Sequence, residues 1–259
     1  MRIIAGEFRS RPLLTPKDDS VTRPIPDRVK ESLFGLLRGH CEGANVFDGF
    51  AGTGSIGLEA VSRGAVRCVC VERDKGAADL LRRNIEALGA QDRCELVLGD
   101  ALGPGALARA PRPLTLAFLD PPYPLVRDPI GWERVKAQLQ KLTDLLTDDG
   151  FAIVRTPWPF SLELGPAGTP GAPTSTGATE IKRKKKPRSP SREPKQGRWH
   201  ELDTTAEPVE DVATEGSVDE DPEIVRVPAD LSLPNAVGPE THVYHSTALH
   251  LYMRKRDTA

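Results

Sequence analysis

Asp120-Pro121-Pro122-Tyr123 follows an apolar run that ends at Leu119, and it sets a carboxylate, two stiff prolines and an aromatic ring within four residues. An exocyclic amine on a nucleobase has its lone pair drawn into the ring. Chemistry on it therefore needs acceptors for the N–H protons and a flat surface for the base. The Asp120 carboxylate and the Pro121 carbonyl are acceptors, and the Tyr123 ring is such a surface. The same residues also suit a plainer role, a proline-stiffened loop whose ring covers an apolar edge. A glycine turn upstream, Asp48-Gly49-Phe50-Ala51-Gly52-Thr53-Gly54, favours the chemical reading.

That turn continues as Gly52-Thr53-Gly54-Ser55-Ile56-Gly57, which matches G-x-G-x-x-G. Glycines here let a backbone approach a ligand and let a helix begin at once. They do not choose between a nicotinamide pyrophosphate and the methionine end of S-adenosylmethionine. Asp48 helps to choose, because a carboxylate repels phosphates but stabilises an ammonium and a sulfonium. Glu72, ending the next apolar run, can accept two ribose hydroxyls. Asp100, with Ala101 after it, is placed to meet an adenine amine. The cofactor-binding set read from the sequence is thus Asp48, Phe50, Ala51, Gly52, Thr53, Gly54, Glu72, Asp100 and Ala101.

The elements that must position these groups alternate in type. Asn45–Asp48, Val66–Glu72, Cys94–Gly99, Leu114–Leu119 and Phe151–Val154 read as strands. Ser55–Arg63, Asp74–Leu88 and Trp132–Leu146 read as helices, and an earlier helix carries Val29, Leu33, Leu36 and Leu37 at helical spacing. Such alternation predicts a parallel sheet covered on both faces, with ligands beyond the carboxyl ends of its strands. Asp48, Glu72, Asp100 and Asp120 would then share one rim. Residues 241–244 and 247–252 read as two closing antiparallel strands, and residues 2–11 as a small hairpin about Gly6.

Length allows one ordinary α/β domain or two small ones, and composition favours one. From about Gly165 to Asn235 the periodicity dissolves into a proline-containing, charge-segregated stretch, with the basic run 182–188 followed by an acidic block. This predicts a disordered insertion, 165–236, between the two parts of a single domain, 23–164 and 237–256, that follows an N-terminal extension, 1–22. The first forty residues hold eight Lys or Arg against five Asp or Glu, a mild sign of a polyanionic partner. The four cysteines have no metal or redox spacing and read as buried thiols, so no metal is expected. Residues 1–20 carry Arg2, Glu7, Arg9 and Arg11 and no long apolar run, so no signal peptide or membrane span is expected, and a cytoplasmic location is.

Taken together these motifs resemble the RsmD family of 16S ribosomal RNA (guanine-N2)-methyltransferases. The resemblance rests on Arg2-Ile3-Ile4-Ala5-Gly6, on Arg23-Pro24 through Asp27-Arg28-Val29-Lys30-Glu31-Ser32-Leu33-Phe34, and on the glycine turn continued through Gly57-Leu58-Glu59-Ala60. Asp120-Pro121-Pro122-Tyr123 and the closing Tyr244 with Thr247-Ala248-Leu249 complete it. The glycine turn is common to many class I methyltransferases, so the opening hairpin and the Arg-Pro helix entry carry the specificity. Three departures stand out: Ile25 where the family usually has Thr, His245 where it has Gly after the tyrosine, and the insertion.

The resemblance implies a class I, Rossmann-like α/β fold that binds S-adenosylmethionine and methylates the N2 amine of a guanine in 16S rRNA, within a small ribosomal subunit or an assembly intermediate. It assigns Asp120, Pro121, Pro122 and Tyr123 to catalysis. Arg2, Arg9, Arg11, Arg23, Arg28 and Lys30 become candidate phosphate contacts. Three other readings compete: an amino methyltransferase acting on another RNA base or on DNA adenine, a nicotinamide-dependent oxidoreductase, and a non-catalytic RNA-binding protein. The oxidoreductase leaves Asp48 and the Asp-Pro-Pro-Tyr segment without a task.

Overall fold

Short apolar runs separated by amphipathic segments fold as five parallel strands with intervening helices. They are β1 (Asn45–Gly49), β2 (Arg67–Glu72), β3 (Cys94–Leu98), β4 (Leu114–Leu119) and β5 (Leu146–Pro157). The helices are α1 (Asp27–Leu36), α2 (Gly57–Ser62), α3 (Lys75–Leu88), α4 (Pro104–Arg109), α5 (Tyr123–Arg127) and α6 (Pro129–Asp144). Beyond them lie β6 (Ser161–Leu164), β7 (Val225–Pro228), β8 (Ala236–Tyr244) and β9 (Thr247–Arg254). This computed structural model describes residues 1–16, 25–165 and 224–256, all within the unit formed by Met1–Ala172 and Ile224–Ala259.

The main sheet has the order β3-β2-β1-β4-β5-β9-β8, and β9 and β8 are its antiparallel edge. Strand order reverses between β1 and β4. In an open α/β sheet a crevice opens at that point, beyond the carboxyl ends of the strands. One face packs Leu33, Phe34, Leu58, Leu81 and Ile85 from α1, α2 and α3 against Phe118 and Ile153, while the other packs Trp132, Val135 and Leu139 from α6 against Phe47, Ala117 and Val154. Helix α3 starts at Asp74, whose side chain accepts from Ala77 N, and stops at Gly89 in the left-handed region.

The N-terminal extension forms the expected small hairpin about Gly6, with little regular strand. Residues 2 and 12 form a single antiparallel bridge, and the chain between them is a turn seated on the end of α2. Ser62 Oγ donates to the Ala5 carbonyl at 2.6 Å, and the Ser62 carbonyl accepts from Glu7 N at 2.7 Å. Gly6 has φ +85°, and a Cβ there would lie 1.7 Å from the Ser62 carbonyl oxygen, so no other residue fits. The hairpin's two arms pair through Ile3 N to the Arg11 carbonyl at 2.9 Å, Ser10 N to the Ile3 carbonyl at 2.9 Å and Leu13 N to the Met1 carbonyl at 3.0 Å, while α2 satisfies polar groups of the turn between them.

The insertion begins and ends on a ribbon. Strands β6 and β7 pair antiparallel, with Leu164 opposite Val225. Residues 224–236, assigned to the insertion by composition, instead belong to the ordered body. Trp132 Nε1 donates to the Asp230 carbonyl at 2.9 Å, Tyr252 OH donates to the Leu231 carbonyl at 2.8 Å, and Leu233 is buried. A tally of charge and proline misses this because the contacts are made mainly by backbone. Residues 166–223 lie outside the described residues.

Candidate active site

Strand β1 delivers Asp48 to the crevice. Its Oδ2 accepts from Gly57 N at 2.8 Å, while its Oδ1 is buried with no donor. A Cβ on Gly57 would lie 2.9 Å from that carboxylate and equally close to the Cys68 and Cys70 sulfurs, so the third glycine of the motif is there to let α2 close onto the sheet. Burial, joined by the charges of Asp120 and Glu72 and opposed by the Gly57 amide, pushes the Asp48 carboxyl up to about 7. Phe50, Gly52 and Gly54 all take positive φ, which folds the loop back over β1.

Glu72, at the end of β2, accepts from Gly52 N at 2.8 Å and from Asp74 N at 2.7 Å. It therefore ties the glycine loop to the start of α3 and keeps a further lone pair on each oxygen for a hydroxyl. Ala51 and Thr53 are buried, and the Thr53 carbonyl accepts from Asn84 Nδ2 at 2.9 Å. Asp100 is exposed, with Oδ1 accepting from Leu102 N at 3.0 Å and Oδ2 paired to Arg134 at 3.1 Å. Ala101 is buried, and its carbonyl accepts from Gln138 Nε2. A buried carboxylate with an orphaned oxygen, beside two more acids, is a donor-poor cradle for a cation. That fits the ammonium and sulfonium of S-adenosylmethionine and not a pyrophosphate.

Asp120 stands across the switch point at the end of β4, where its N–H donates to the Gly49 carbonyl at 3.3 Å. Pro121 is buried and Pro122 exposed. The Pro122 carbonyl accepts from Leu125 N, starting α5, whereas no donor among the described residues reaches the Pro121 carbonyl. Tyr123 is half-buried at the first position of α5. The structure thus unites the glycine loop, Glu72 and the Asp120 segment on one rim.

It also adds a residue that sequence reasoning missed. Arg155, near the carboxyl end of β5, donates from Nε to Asp120 Oδ1 at 2.6 Å and from Nη2 to Oδ2 at 3.0 Å. Its guanidinium carbon lies 5.6 Å from the Tyr123 ring centroid. Tyr123 OH donates to Thr247 Oγ1, and Thr247 Oγ1 donates to the Thr156 carbonyl, both at 3.0 Å. The one signal for Arg155 in the sequence is a charge directly after the apolar run Phe151–Val154.

Of the candidate phosphate contacts, Arg2, Arg9, Arg11 and Arg28 are exposed, with Arg2 3.5 Å from Asp27 and Arg11 donating to the Ala87 carbonyl. Arg23 lies outside the described residues. Lys30 is corrected: it is fully buried, with Nζ 2.7 Å from the Arg2 carbonyl, 3.2 Å from Ser55 Oγ and 3.4 Å from Glu59. Burial lowers its pKa and the Glu59 carboxylate opposes that shift. Its place on the inner face of α1, one residue after Val29, puts it in the core, where it cannot meet a phosphate.

Comparison with known proteins agrees with this geometry. The family model described as conserved hypothetical protein 95 matches residues 1–166. The Bacillus subtilis (strain 168) protein YlbH is 33% identical over 156 residues, covering 59% of this chain and 80% of the relative. Ribosomal RNA small subunit methyltransferase D of Escherichia coli (strain K12) is 34% identical over 151 residues, covering 58% and 69%. Among solved structures, the Escherichia coli protein yhhF, described as a methyltransferase, shares the fold with a TM-score of 0.59 at 24% identity, over 99% of each chain. Among the described residues no group of three His, Cys, Asp or Glu could hold a metal, and no helix is long and apolar enough to cross a membrane. With a family model spanning more than half of its length and the motif residues gathered at one switch point, the chain belongs to the conserved hypothetical protein 95 family, the RsmD family of methyltransferases.

Proposed function

We propose that the protein transfers a methyl group from S-adenosylmethionine to the exocyclic N2 amine of a guanine in small-subunit (16S) ribosomal RNA, presented in a small subunit or an assembly intermediate. The observation that carries this reading is the placement of Asp120 and Tyr123 across one switch point from the buried, half-satisfied Asp48. The name of the Escherichia coli relative supports the RNA target. Asp48 and the loop 50–54 would hold the methionine end of the cofactor and Glu72 the ribose hydroxyls. Asp100 and Ala101 would lie at the adenine, with Asp100 leaving Arg134 to do so. S-adenosylmethionine supplies a methyl group already activated by its sulfonium.

The chain's own residues then position the base. Tyr123 offers a stacking face, and Asp120 and the unoccupied Pro121 carbonyl accept from the amine, turning its lone pair out of the ring. Asp120 is paired with Arg155, so it orients the amine instead of serving as a strong base. The nitrogen gives up its extra proton to solvent water once it carries the methyl group. Arg2, Arg9, Arg11 and Arg28 are each exposed and would be contacts for the RNA backbone, with Arg23 a further candidate outside the described residues.

The test is methylation of small ribosomal subunits from a methylase-deficient host with labelled S-adenosylmethionine, followed by mapping of the labelled nucleotide. Label on a guanine N2 of 16S rRNA supports the reading; label on another base, on DNA adenine, or nowhere overturns it. Asp120→Asn, which turns an N–H toward the donors it should accept from, lowers single-turnover transfer by about a hundredfold or more. Cofactor affinity, measured in parallel, stays near wild type.

A further inference from the structure

Resting on that reading of the site, the geometry points to Arg155 as the positioning residue of methyl transfer: with Thr247 it fastens both ends of the Asp120–Tyr123 segment to strand β5. Leu119 lies opposite Val154 in the β4–β5 register, so the next pair along, Asp120 and Arg155, emerges side by side at the rim. The guanidinium grips both carboxylate oxygens at 2.6 and 3.0 Å and has side-chain exposure of only 12%, against 15% for Asp120. A bidentate pair of this kind fixes the plane of the carboxylate as well as its position.

The other end of the segment is held from the same strand. Tyr123 OH reaches Thr247 Oγ1, which reaches the Thr156 carbonyl, one residue beyond Arg155. The Arg155 guanidinium carbon also lies 5.6 Å from the Tyr123 ring centroid. One short stretch, Arg155-Thr156, thereby sets the distance and angle between the acceptor for the amine and the stacking surface for the base. An error of an ångström in that relation is costly to a transfer that depends on alignment.

Two lone pairs of Asp120 remain after Arg155 has taken its share, enough for the two N–H groups of one amine. Arg155 also decides the charge of that carboxylate. Asp120 meets Arg155 from β5, whose guanidinium carbon also lies 5.6 Å from the Tyr123 ring centroid of α5, and its charge is felt by the acid Asp48 of β1. Burial pushes the Asp120 carboxyl up, and Arg155 opposes it through charge and hydrogen bonding. Without the guanidinium, burial acts unopposed beside another acid, so Asp120 takes up a proton at higher pH and ceases to accept.

The experiment compares the full chain with Arg155→Gln, Arg155→Lys and Thr247→Val. The Asp120 carboxyl is followed by carbon NMR of 13C-aspartate-labelled protein, its resonance identified by its loss in Asp120→Asn, and kcat is measured against pH on small subunits. Arg155→Gln should raise the Asp120 titration midpoint by one unit or more and carry the acidic limb of kcat with it, with cofactor affinity unchanged. Arg155→Lys should recover part of both effects. Thr247→Val and Tyr123→Phe should each lower kcat about threefold, and their double variant no further, because they cut one relay. An Asp120 midpoint that is the same in wild type and Arg155→Gln overturns the proposal, and this readout needs no turnover. An inactive wild type with the midpoint shifted as stated counts against the RNA reading alone.

Discussion

Asp48 is the residue whose environment most constrains what can bind beside it. An acid held at about 7 is half-protonated near neutral pH, and a cationic ligand draws off the proton. S-adenosylmethionine affinity should therefore rise about tenfold between pH 6 and 8 in the wild type. In Asp48→Asn it should be flat and weaker by about 1–3 kcal/mol, as isothermal titration at each pH will show. Stability runs the other way. A carboxyl raised in the folded state stabilises the fold below its unfolded value near 3.9, and that contribution is lost as pH rises through about 7. The ligand-free wild type should thus lose melting temperature relative to Asp48→Asn between pH 5 and 8.

At the scale of elements, two polar groups buried between neighbours hold the scaffold in place. Glu59 on α2 accepts from Ile4 N at 2.7 Å, from Ala5 N at 3.0 Å and from Arg63 at 2.8 Å, and it neutralises the buried Lys30 of α1. Glu59→Ala takes the counter-charge from the buried Lys30, leaving it the Arg2 carbonyl and Ser55 Oγ, and strips the Ile4 and Ala5 amides of their acceptor, at a cost of about 3–5 kcal/mol by chemical denaturation. Lys30→Met should cost much less, since Glu59 keeps its other partners. His250 on β9 sits between Thr156 of β5 at 2.8 Å and Thr241 of β8 at 2.9 Å. Burial drops its pKa to about 4, so its neutral form is the one that fits. Its contribution is complete above the unfolded value near 6.5 and is lost as pH falls through about 4. The antiparallel edge that carries Thr247 should loosen first in acid, and His250→Gln should blunt that loss in hydrogen exchange of β8 and β9.

For the whole molecule, the insertion leaves and rejoins the body where Leu164 faces Val225 across the β6–β7 ribbon. Strand partners lie about 5 Å apart, so a two-residue Asn-Gly turn can join them. Replacing residues 166–223 in this way should leave the melting temperature unchanged, as scanning calorimetry can check; a fall of many degrees would mean that the segment is part of the core. The ribbon packs beside α5, which begins with Tyr123, and Arg127 of α5 lies 3.7 Å from Glu163. The exposed arginines form a separate lever. Arg9→Ala with Arg28→Ala should weaken RNA binding and reduce its salt slope by about two, leaving cofactor affinity untouched.

Much of this arrangement was legible in the linear chain because it depends on local pattern. The alternation of apolar runs with amphipathic helices marked all five parallel strands, with β4 placed at its observed limits, and the glycine turn and Asp-Pro-Pro-Tyr marked the rim. His245 takes φ +53°, a left-handed conformation that glycine adopts freely, and no local pattern specified it. What depends on neighbours distant in sequence was decided only in three dimensions. Lys30 looked like a surface cation until α2 brought Glu59 against it, 29 positions away, and Arg155 drew no reading at all until β4 laid Asp120 beside it. Residues 224–236 looked like insertion because their contacts use backbone carbonyls, which carry no side-chain signature. A sequence specifies which groups are available and the period at which they recur; whether a charge meets solvent, a ligand or an opposite charge is settled by the packing of strands and helices that are far apart along the chain.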